Sequence, residues 1–251
     1  IEMPRGSALL VGVGGSGKQS LTRLASFISK AMCFQITLTK QYNKNALMED
    51  LRTLYRSAGH KRQQTVFLFT ESEIKDEIFL EGSNSGPMTG EVVGLFAKDE
   101  MMAMTADLYS AFTQERPELE PNALNLKQYF TDCVRDNLHL VLCMSPLNPM
   151  FPVRAMKFPG LISGPTIDWF LAWPEDALIA VSQGFIRDYP IDCDQPTKEA
   201  LMVHMGNVHA MVTETCEDYK TAHRRNVYQT PKSYLSFIAA YKEMYKTKID
   251  A

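Results

Sequence analysis

The chain has 251 residues and a formal net charge of −3 at pH 7, with 45% hydrophobic and 22% charged residues, which allows one large domain or a large and a small one. The slight acidic excess argues against a nucleic-acid partner, because nucleic-acid-binding modules neutralise phosphates with basic residues. No apolar run approaches the roughly 20 residues that cross a bilayer, which argues against a membrane partner. Five unclustered cysteines predict buried free thiols in a reducing, cytoplasmic compartment.

Hydrophobic periodicity predicts five short strands that alternate with helices in the first two thirds of the chain. In chain order we predict a strand over 7–12, a helix carrying Leu21, Leu24, Ala25 and Ile28, a strand over 34–38, a helix over 45–58, a strand over 65–70, an irregular insertion over 82–90, helices in pieces to about residue 137, a strand over 138–144 and a short strand over 162–167. This alternation predicts a mostly parallel sheet with helices on both faces.

The strand signal ends near Trp169, and only helical stripes follow. One stripe runs through Leu178 and Phe185, a second through Leu201 and Val212, and a third from Tyr234 to Tyr245. We therefore predict an α/β protein with a large α/β domain over residues 1–169 and a small, all-helical domain over residues 170–251.

A glycine-rich loop follows the first predicted strand and matches the pattern G-x-x-x-x-G-K. Glycines allow the backbone to curl so that its N–H groups point inward, and the next helix begins there with its positive end. The lysine adds a mobile positive charge for the β and γ phosphates. We expect this loop to bind phosphate through Gly12, Val13, Gly14, Gly15, Ser16, Gly17, Lys18, Gln19 and Ser20.

Two departures from this pattern concern the metal ion. Gln19 stands where a Ser or Thr hydroxyl normally binds Mg²⁺, and its longer neutral amide is at best a weak metal ligand. Thr70 ends the third strand where a P-loop ATPase usually has an Asp, and Glu71 follows as a possible general base. Because both missing groups support one ion, Mg²⁺ binding is doubtful, and slow or absent hydrolysis is expected.

The chain resembles the fourth AAA+ module of dynein heavy chains over essentially its whole length. The residues that carry this resemblance are Ala8 to Ala25 with the phosphate loop, Phe67-Leu-Phe-Thr, Gly90-Glu-Val, Met144-Ser-Pro, Lys157-Phe-Pro, Ile167-Asp-Trp-Phe, Trp173-Pro-Glu-Asp-Ala-Leu and Thr230-Pro-Lys-Ser-Tyr-Leu. At Gln19 and Thr70 the chain resembles the axonemal branch of the family, and within that branch it resembles an outer-arm type. The resemblance implies a P-loop AAA+ fold followed by a helical lid.

The resemblance also implies three further site residues. Ser145 stands at the sensor-one position, although its hydroxyl is shorter than the usual Asn. Arg154 stands where an arginine finger would reach the nucleotide of a neighbouring module; an ordinary surface arginine is the alternative. Lys232 stands at the sensor-two position, and the order Thr230-Pro-Lys independently predicts a helix N-cap followed by a lysine that opposes the helix dipole, which suggests an anionic partner. An ordinary solvated lysine is the alternative.

A regulatory module of a motor is the leading hypothesis: ATP or ADP binding would alter its packing on neighbouring AAA+ modules of the same heavy chain and so bias the microtubule-binding stalk. The resemblance implies other dynein chains as further partners and the axoneme of a cilium or flagellum as the location. An active ATPase with an unusual metal shell and a ring segment with a vestigial loop are the alternatives. The start at Ile1 and the absent stalk predict a fragment, and the 82–87 Gly/Ser/Pro stretch departs from the family pattern.

Overall fold

A computed structural model describes residues 3–74, 77, 80, 92 and 94–249. Five strands form one parallel sheet, which confirms the predicted α/β class, and their order across it is β2-β3-β4-β1-β5. The strands are β1 (Ala8–Gly12), β2 (Met32–Gln35), β3 (Thr65–Thr70), β4 (Leu138–Met144) and β5 (Thr166–Phe170). β3 and β4 are buried along their whole length, as the apolar runs at 66–69 and 140–144 predict.

The register of the sheet brings the carboxyl ends of β1, β3 and β4 to the same edge. Val11 pairs with Met144, and Thr70 pairs with Cys143. The residues that follow each strand therefore lie close together, although 132 positions of sequence separate Gly12 at the end of β1 from Met144 at the end of β4. This edge is where ligands bind in open parallel sheets.

Helices alternate with the strands along the chain, as the sequence pattern predicts. Those of the first part of the chain are α1 (Lys18–Ile28), α2 (Lys44–Tyr55), α3 (Lys98–Asp107), α4 (Tyr109–Glu115), α5 (Ala123–Asn137), α6 (Met150–Lys157) and α7 (Gly160–Ser163). The later ones are α8 (Glu175–Ile186), α9 (Gln195–His223) and α10 (Pro231–Ile249). Among the residues described, no helix is long and apolar enough to traverse a bilayer.

The chain forms two compact units. The first comprises Ile1–Gly12 and Lys18–Trp169, and the second comprises Val13–Gly17 and Phe170–Ala251. Each has its own hydrophobic core: the first is centred on residues such as Leu54, Phe67 and Leu142, and the second on residues such as Ile186 and Tyr234. The segment Val13–Gly17 of the phosphate loop thus belongs to the helical unit. The prediction, which divides the chain once at residue 169, places the whole loop in the α/β domain.

Several boundaries differ from the predictions. β2 begins two residues earlier than predicted, and β5 begins at Thr166 rather than 162, because 160–163 form the short helix α7. The predicted helix 45–58 ends its α-helical part at Tyr55 and continues as a π-helix, Arg56–His60. A Cβ on Gly59 would lie 2.6 Å from ring and methyl atoms of Phe130 and Val134 of α5, so this wider turn lets the backbone lie directly against α5.

Two predictions about burial were wrong. Cys33 and Cys193 are exposed, whereas Cys133 and Cys143 are buried as predicted; Cys33 lies on the edge strand β2, where a side chain can face solvent. The apolar stripe of α1 is also exposed, with 52% of Leu24 accessible. α1 instead buries Thr22 and Ser26, whose hydroxyls donate to helix carbonyls and so need no other partner.

Candidate functional site

The phosphate loop connects the end of β1 to the first residue of α1. Gly15 has φ +79° and Gly17 has φ +96°, values that residues with a Cβ rarely adopt. The turn is closed by the Ser16 N–H, which donates to the Val13 carbonyl at 3.3 Å. The curled backbone followed directly by a helix N-terminus is the arrangement that the pattern G-x-x-x-x-G-K predicts, and it suits an anion.

Lys18 is the first residue of α1 and is 8% exposed. Its Nζ donates to the Gly12 carbonyl at 2.6 Å, so the ammonium is folded back over the end of β1. Burial lowers the pKa of Lys18, while the proximity of Cys143 and of the Glu71 carboxylate opposes that shift. An ammonium has three N–H donors, so a phosphate can be bound by the same group that contacts Gly12.

The start of α10 contacts the phosphate loop within the second unit. The Lys232 N–H donates to the Gly15 carbonyl at 3.3 Å, and a Cβ on Gly15 would lie 3.0 Å from Lys232 Cβ and from Thr230 Oγ1. The Thr230 hydroxyl accepts a bond from the Ser233 N–H at 3.3 Å, and Pro231 is the first helical residue, which confirms the predicted N-cap. The backbone and Cβ of Lys232 therefore lie directly beside the phosphate loop.

The groups that would bind Mg²⁺ do not fit that ion. Gln19 and Ser20 are exposed at the first turn of α1. Thr70 is the N-cap of a 3₁₀ turn, Glu71–Glu73, and its hydroxyl bonds both the Glu73 N–H and the Ser72 hydroxyl. A hydroxyl engaged in a capping box is a poor substitute for the carboxylate or compact oxygen ligands that Mg²⁺ prefers.

Glu71 and Ser145 lie together at the carboxyl edge of the sheet. Glu71 Oε2 accepts a bond from the Ser145 N–H at 3.1 Å, and Glu71 Oε1 lies 3.4 Å from Nη1 of Arg154 on α6. The Ser145 hydroxyl accepts from the Leu147 N–H at 3.3 Å, which stabilises the turn after β4. The structure therefore brings together the possible base, the sensor-one position and the finger position, but with the arginine bound inside its own module.

Glu73 is a buried carboxylate that the predicted site does not contain. It is 5% exposed and accepts bonds from the Thr70 N–H and from Gln35 Nε2, each at 2.7 Å; Gln35 in turn accepts from Arg23 of α1. The sequence carries a signal for this residue, because Thr70-Glu-Ser-Glu73 has the T-x-x-E spacing of a capping box. Through this capping box, Thr70 and Glu73 form a structural pair that fixes the backbone on either side of Glu71.

Two sequence features lie outside the described residues. These are the Gly/Ser/Pro stretch at 82–87 and the first two residues, Gly90 and Glu91, of the Gly90-Glu-Val segment that contributed to the family resemblance.

Comparison with known proteins shows the family of the chain. The model of a family described as "P-loop containing dynein motor region D4" matches residues 1–244. The chain is 54% identical over 248 residues to dynein axonemal heavy chain 5 of Rattus norvegicus, covering 99% of this chain and 7% of that protein. It is 52% identical to dynein axonemal heavy chain 8 of Mus musculus, covering 97% of this chain and 5% of that protein.

A more distant relative is the dynein gamma chain of the flagellar outer arm of Chlamydomonas reinhardtii, at 46% identity over 97% of this chain and 5% of that protein. The chain thus spans between 5% and 7% of the length of these three relatives.

Proposed function

We propose, because this chain belongs to the family of P-loop dynein motor D4 regions, that it is a regulatory nucleotide-binding module of an axonemal dynein. In this proposal the loop from Gly12 to Ser20 binds the phosphates of ATP or ADP, with Lys18 as the main charged contact and Lys232 as a second one. The whole heavy chain would be a microtubule-based ATPase of cilia or flagella, and its neighbouring AAA+ modules would respond to nucleotide occupancy here.

One observation carries the proposal: the backbone of the phosphate loop is already curled, with Gly15 and Gly17 at positive φ, and ends on a helix N-terminus. Preorganised main-chain N–H groups and a helix dipole bind phosphate without a further conformational cost. The contact between Gly15 and Lys232 supports the assignment of the sensor-two position, because it brings a second cationic side chain beside the loop.

The same residues support regulation over rapid hydrolysis. Gln19 is exposed and Thr70 is engaged in the capping box, so neither supplies the usual oxygen for Mg²⁺. Glu71 has both carboxylate oxygens in contacts with protein groups. Nucleotide exchange, rather than turnover at this module, would then change how the module packs on its neighbours and bias the distant stalk.

Hydrolysis at this module is the second candidate, favoured by the position of Glu71. It directly follows β3, and its charge acts on Lys18. A carboxylate near the phosphate-binding ammonium is where a general base belongs. Single-turnover hydrolysis in the full heavy chain separates the two candidates: no turnover with tight binding retained supports the regulatory role.

The proposal is tested by the nucleotide and metal content of the purified protein and by the variant Lys18→Ala. We expect bound nucleotide with little Mg²⁺. Removing the Lys18 ammonium should weaken fluorescent ADP binding by about tenfold to 100-fold, since a charge-assisted bond contributes roughly 1.5–3 kcal/mol. The exposed Lys40→Ala is the matched control, with wild-type affinity expected. Equal affinities of the Lys18 and Lys40 variants would contradict the proposal.

A further inference from the structure

The Glu71 carboxylate is held by protein groups from two other elements of the first unit. One oxygen accepts the Ser145 N–H at 3.1 Å, from the turn after β4, and the other faces the Arg154 guanidinium at 3.4 Å, from α6. The sequence separations are 74 and 83 positions, so only the tertiary fold creates this arrangement. The possible base is therefore neither at the open surface nor exposed to water on both oxygens.

The Arg154–Glu71 pair differs from an ordinary surface ion pair in its burial. The Arg154 side chain is 11% exposed and that of Glu71 is 18% exposed, whereas both partners of the Arg5–Asp136 pair are about half exposed, at 60% and 47%. Pairs shielded from water are screened less and matter more than exposed pairs, whose contribution is about 0–1 kcal/mol. This pair therefore constrains where the Glu71 carboxylate points.

Arg154 is incompletely satisfied in this position. Its Nε is buried and has no hydrogen-bond partner among the described residues, and the contact of its Nη1 with Glu71 is long for a charge-assisted bond. A buried donor without an acceptor costs free energy, about 1–3 kcal/mol. The guanidinium would thus gain from a stronger anionic partner elsewhere, and its bond to Glu71 is one that a phosphate can outcompete.

A general base must present a lone pair within hydrogen-bond reach of the water that it activates. With one oxygen bound to a backbone N–H and the other facing a guanidinium, the carboxylate is directed toward protein groups instead. Removal of the guanidinium would release one oxygen, while the Ser145 N–H would still hold the other and keep the carboxylate at the edge of the sheet.

We propose that Arg154 is a positioning residue that holds Glu71 in a non-productive orientation, so that the ion pair is an off state of the base in its own module. This inference rests on the proposed function, since it requires nucleotide at the phosphate loop. An arginine bound to Glu71 is also not available to a neighbouring module.

The test uses the full heavy chain with the P-loop lysines of the other AAA+ modules replaced by Ala, and measures single-turnover ATP hydrolysis. Arg154→Gln removes the charge and keeps a polar side chain, and we expect the rate at this module to rise by about tenfold or more, since a freed general base contributes roughly 10²–10⁴. Arg154→Lys, which retains a cation on a shorter reach, should give a smaller rise. In the Glu71→Gln background, Arg154→Gln should give no rise.

The order of rates decides the outcome. If Arg154 were only structural, both substitutions would lower the rate, and more so for Gln than for Lys; an arginine that acts only on a neighbour would leave this module's rate unchanged. Either result overturns the inference. Arg135→Gln, which removes a partly buried arginine whose Nη1 lies 3.9 Å from Asp132 Oδ1, is the matched control and should leave the rate unchanged. Should Arg154→Gln not fold, the sign of the Arg154→Lys effect makes the same decision.

Nucleotide affinity of each variant, measured with fluorescent ADP in the same protein, separates this inference from the proposed function. Absence of binding by the unsubstituted protein overturns both. Normal binding without acceleration in Arg154→Gln overturns only the role of Arg154. Normal binding with acceleration that depends on Glu71 supports both.

Discussion

Three of the four glycines of the phosphate loop, Gly14, Gly15 and Gly17, allow backbone strain and crowding to be measured separately. Gly14 has an ordinary φ, and an added Cβ there would meet none of the described atoms within 4 Å. Gly17 has a positive φ of +96° but the same open space. Gly15 has both a positive φ and a crowded Cβ position, 3.0 Å from Lys232 Cβ and Thr230 Oγ1. Alanine at each position therefore adds a different combination of costs.

The magnitudes follow from these geometries. Gly14→Ala should be neutral or stabilise the protein by about 0.4–1 kcal/mol, because alanine restricts the unfolded chain. Gly17→Ala should cost about 1–2 kcal/mol for a Cβ in the left-handed region. Gly15→Ala adds about 1–3 kcal/mol of overpacking to a similar strain, about 2–5 kcal/mol in all. The expected order of stability is thus Gly14→Ala above Gly17→Ala above Gly15→Ala.

Urea unfolding of the nucleotide-free protein measures the first effect, and ADP affinity measures its functional consequence. If the curled loop is what binds phosphate, Gly15→Ala should lose at least tenfold in affinity, since 1.4 kcal/mol of distortion is a factor of ten. The reasoning would be refuted if Gly14→Ala and Gly15→Ala had the same stability and the same affinity, because positive φ and contact with α10 would then have no energetic weight.

Two further predictions concern the first unit. Gly59→Ala should destabilise the protein by about 1–3 kcal/mol, because its Cβ would lie 2.6 Å from atoms of Phe130 and Val134. Gly184→Ala in α8, where the Cβ position is open, is the control and should be neutral or stabilising by up to about 1 kcal/mol. Equal unfolding midpoints of the two variants would contradict this prediction. Burial lowers the pKa of His139, a shift opposed by the bond between its Nδ1 and the Gly6 carbonyl. The folded protein therefore favours the neutral ring. The stability that this preference contributes is present above about pH 6.5 and should be lost as the pH falls through the lowered pKa, and His139→Gln should show a weaker pH dependence of unfolding. An increase in stability on acidification that depends on His139 would show that the hydrogen bond outweighs burial.

Local sequence patterns determined the type of fold and the curled conformation of the glycine-rich loop. The apolar runs at 66–69 in β3 and 140–144 in β4 are each enough to indicate a buried parallel strand, because four or five consecutive side chains in them are hydrophobic. The loop was equally predictable, since a phosphate loop needs consecutive glycines, a lysine and a helix start within nine residues. Capping signals are also local, and the N-cap at Thr230 was predicted from three adjacent residues.

Burial was less predictable, because it depends on what each face meets. α1 was expected to be amphipathic, yet it buries Thr22 and Ser26 and exposes Leu24. Small hydroxyl side chains bonded to their own helix can be buried at little cost, so hydrophobicity alone does not indicate the inner face. The π-helix has the same origin, since Gly59 contacts Phe130, a residue 71 positions later in the chain.

Which groups contact the Glu71 carboxylate was decided by tertiary structure alone. The sequence pattern after the third strand indicated Glu71 as a base, while the family resemblance implied separate roles for Ser145 and Arg154. Parallel pairing of β3 with β4 brings the first two together, and the packing of α6 adds the third. Whether a carboxylate acts as a base depends on the groups that surround it, and here those groups come from chain segments more than 70 residues away, beyond the reach of any local pattern.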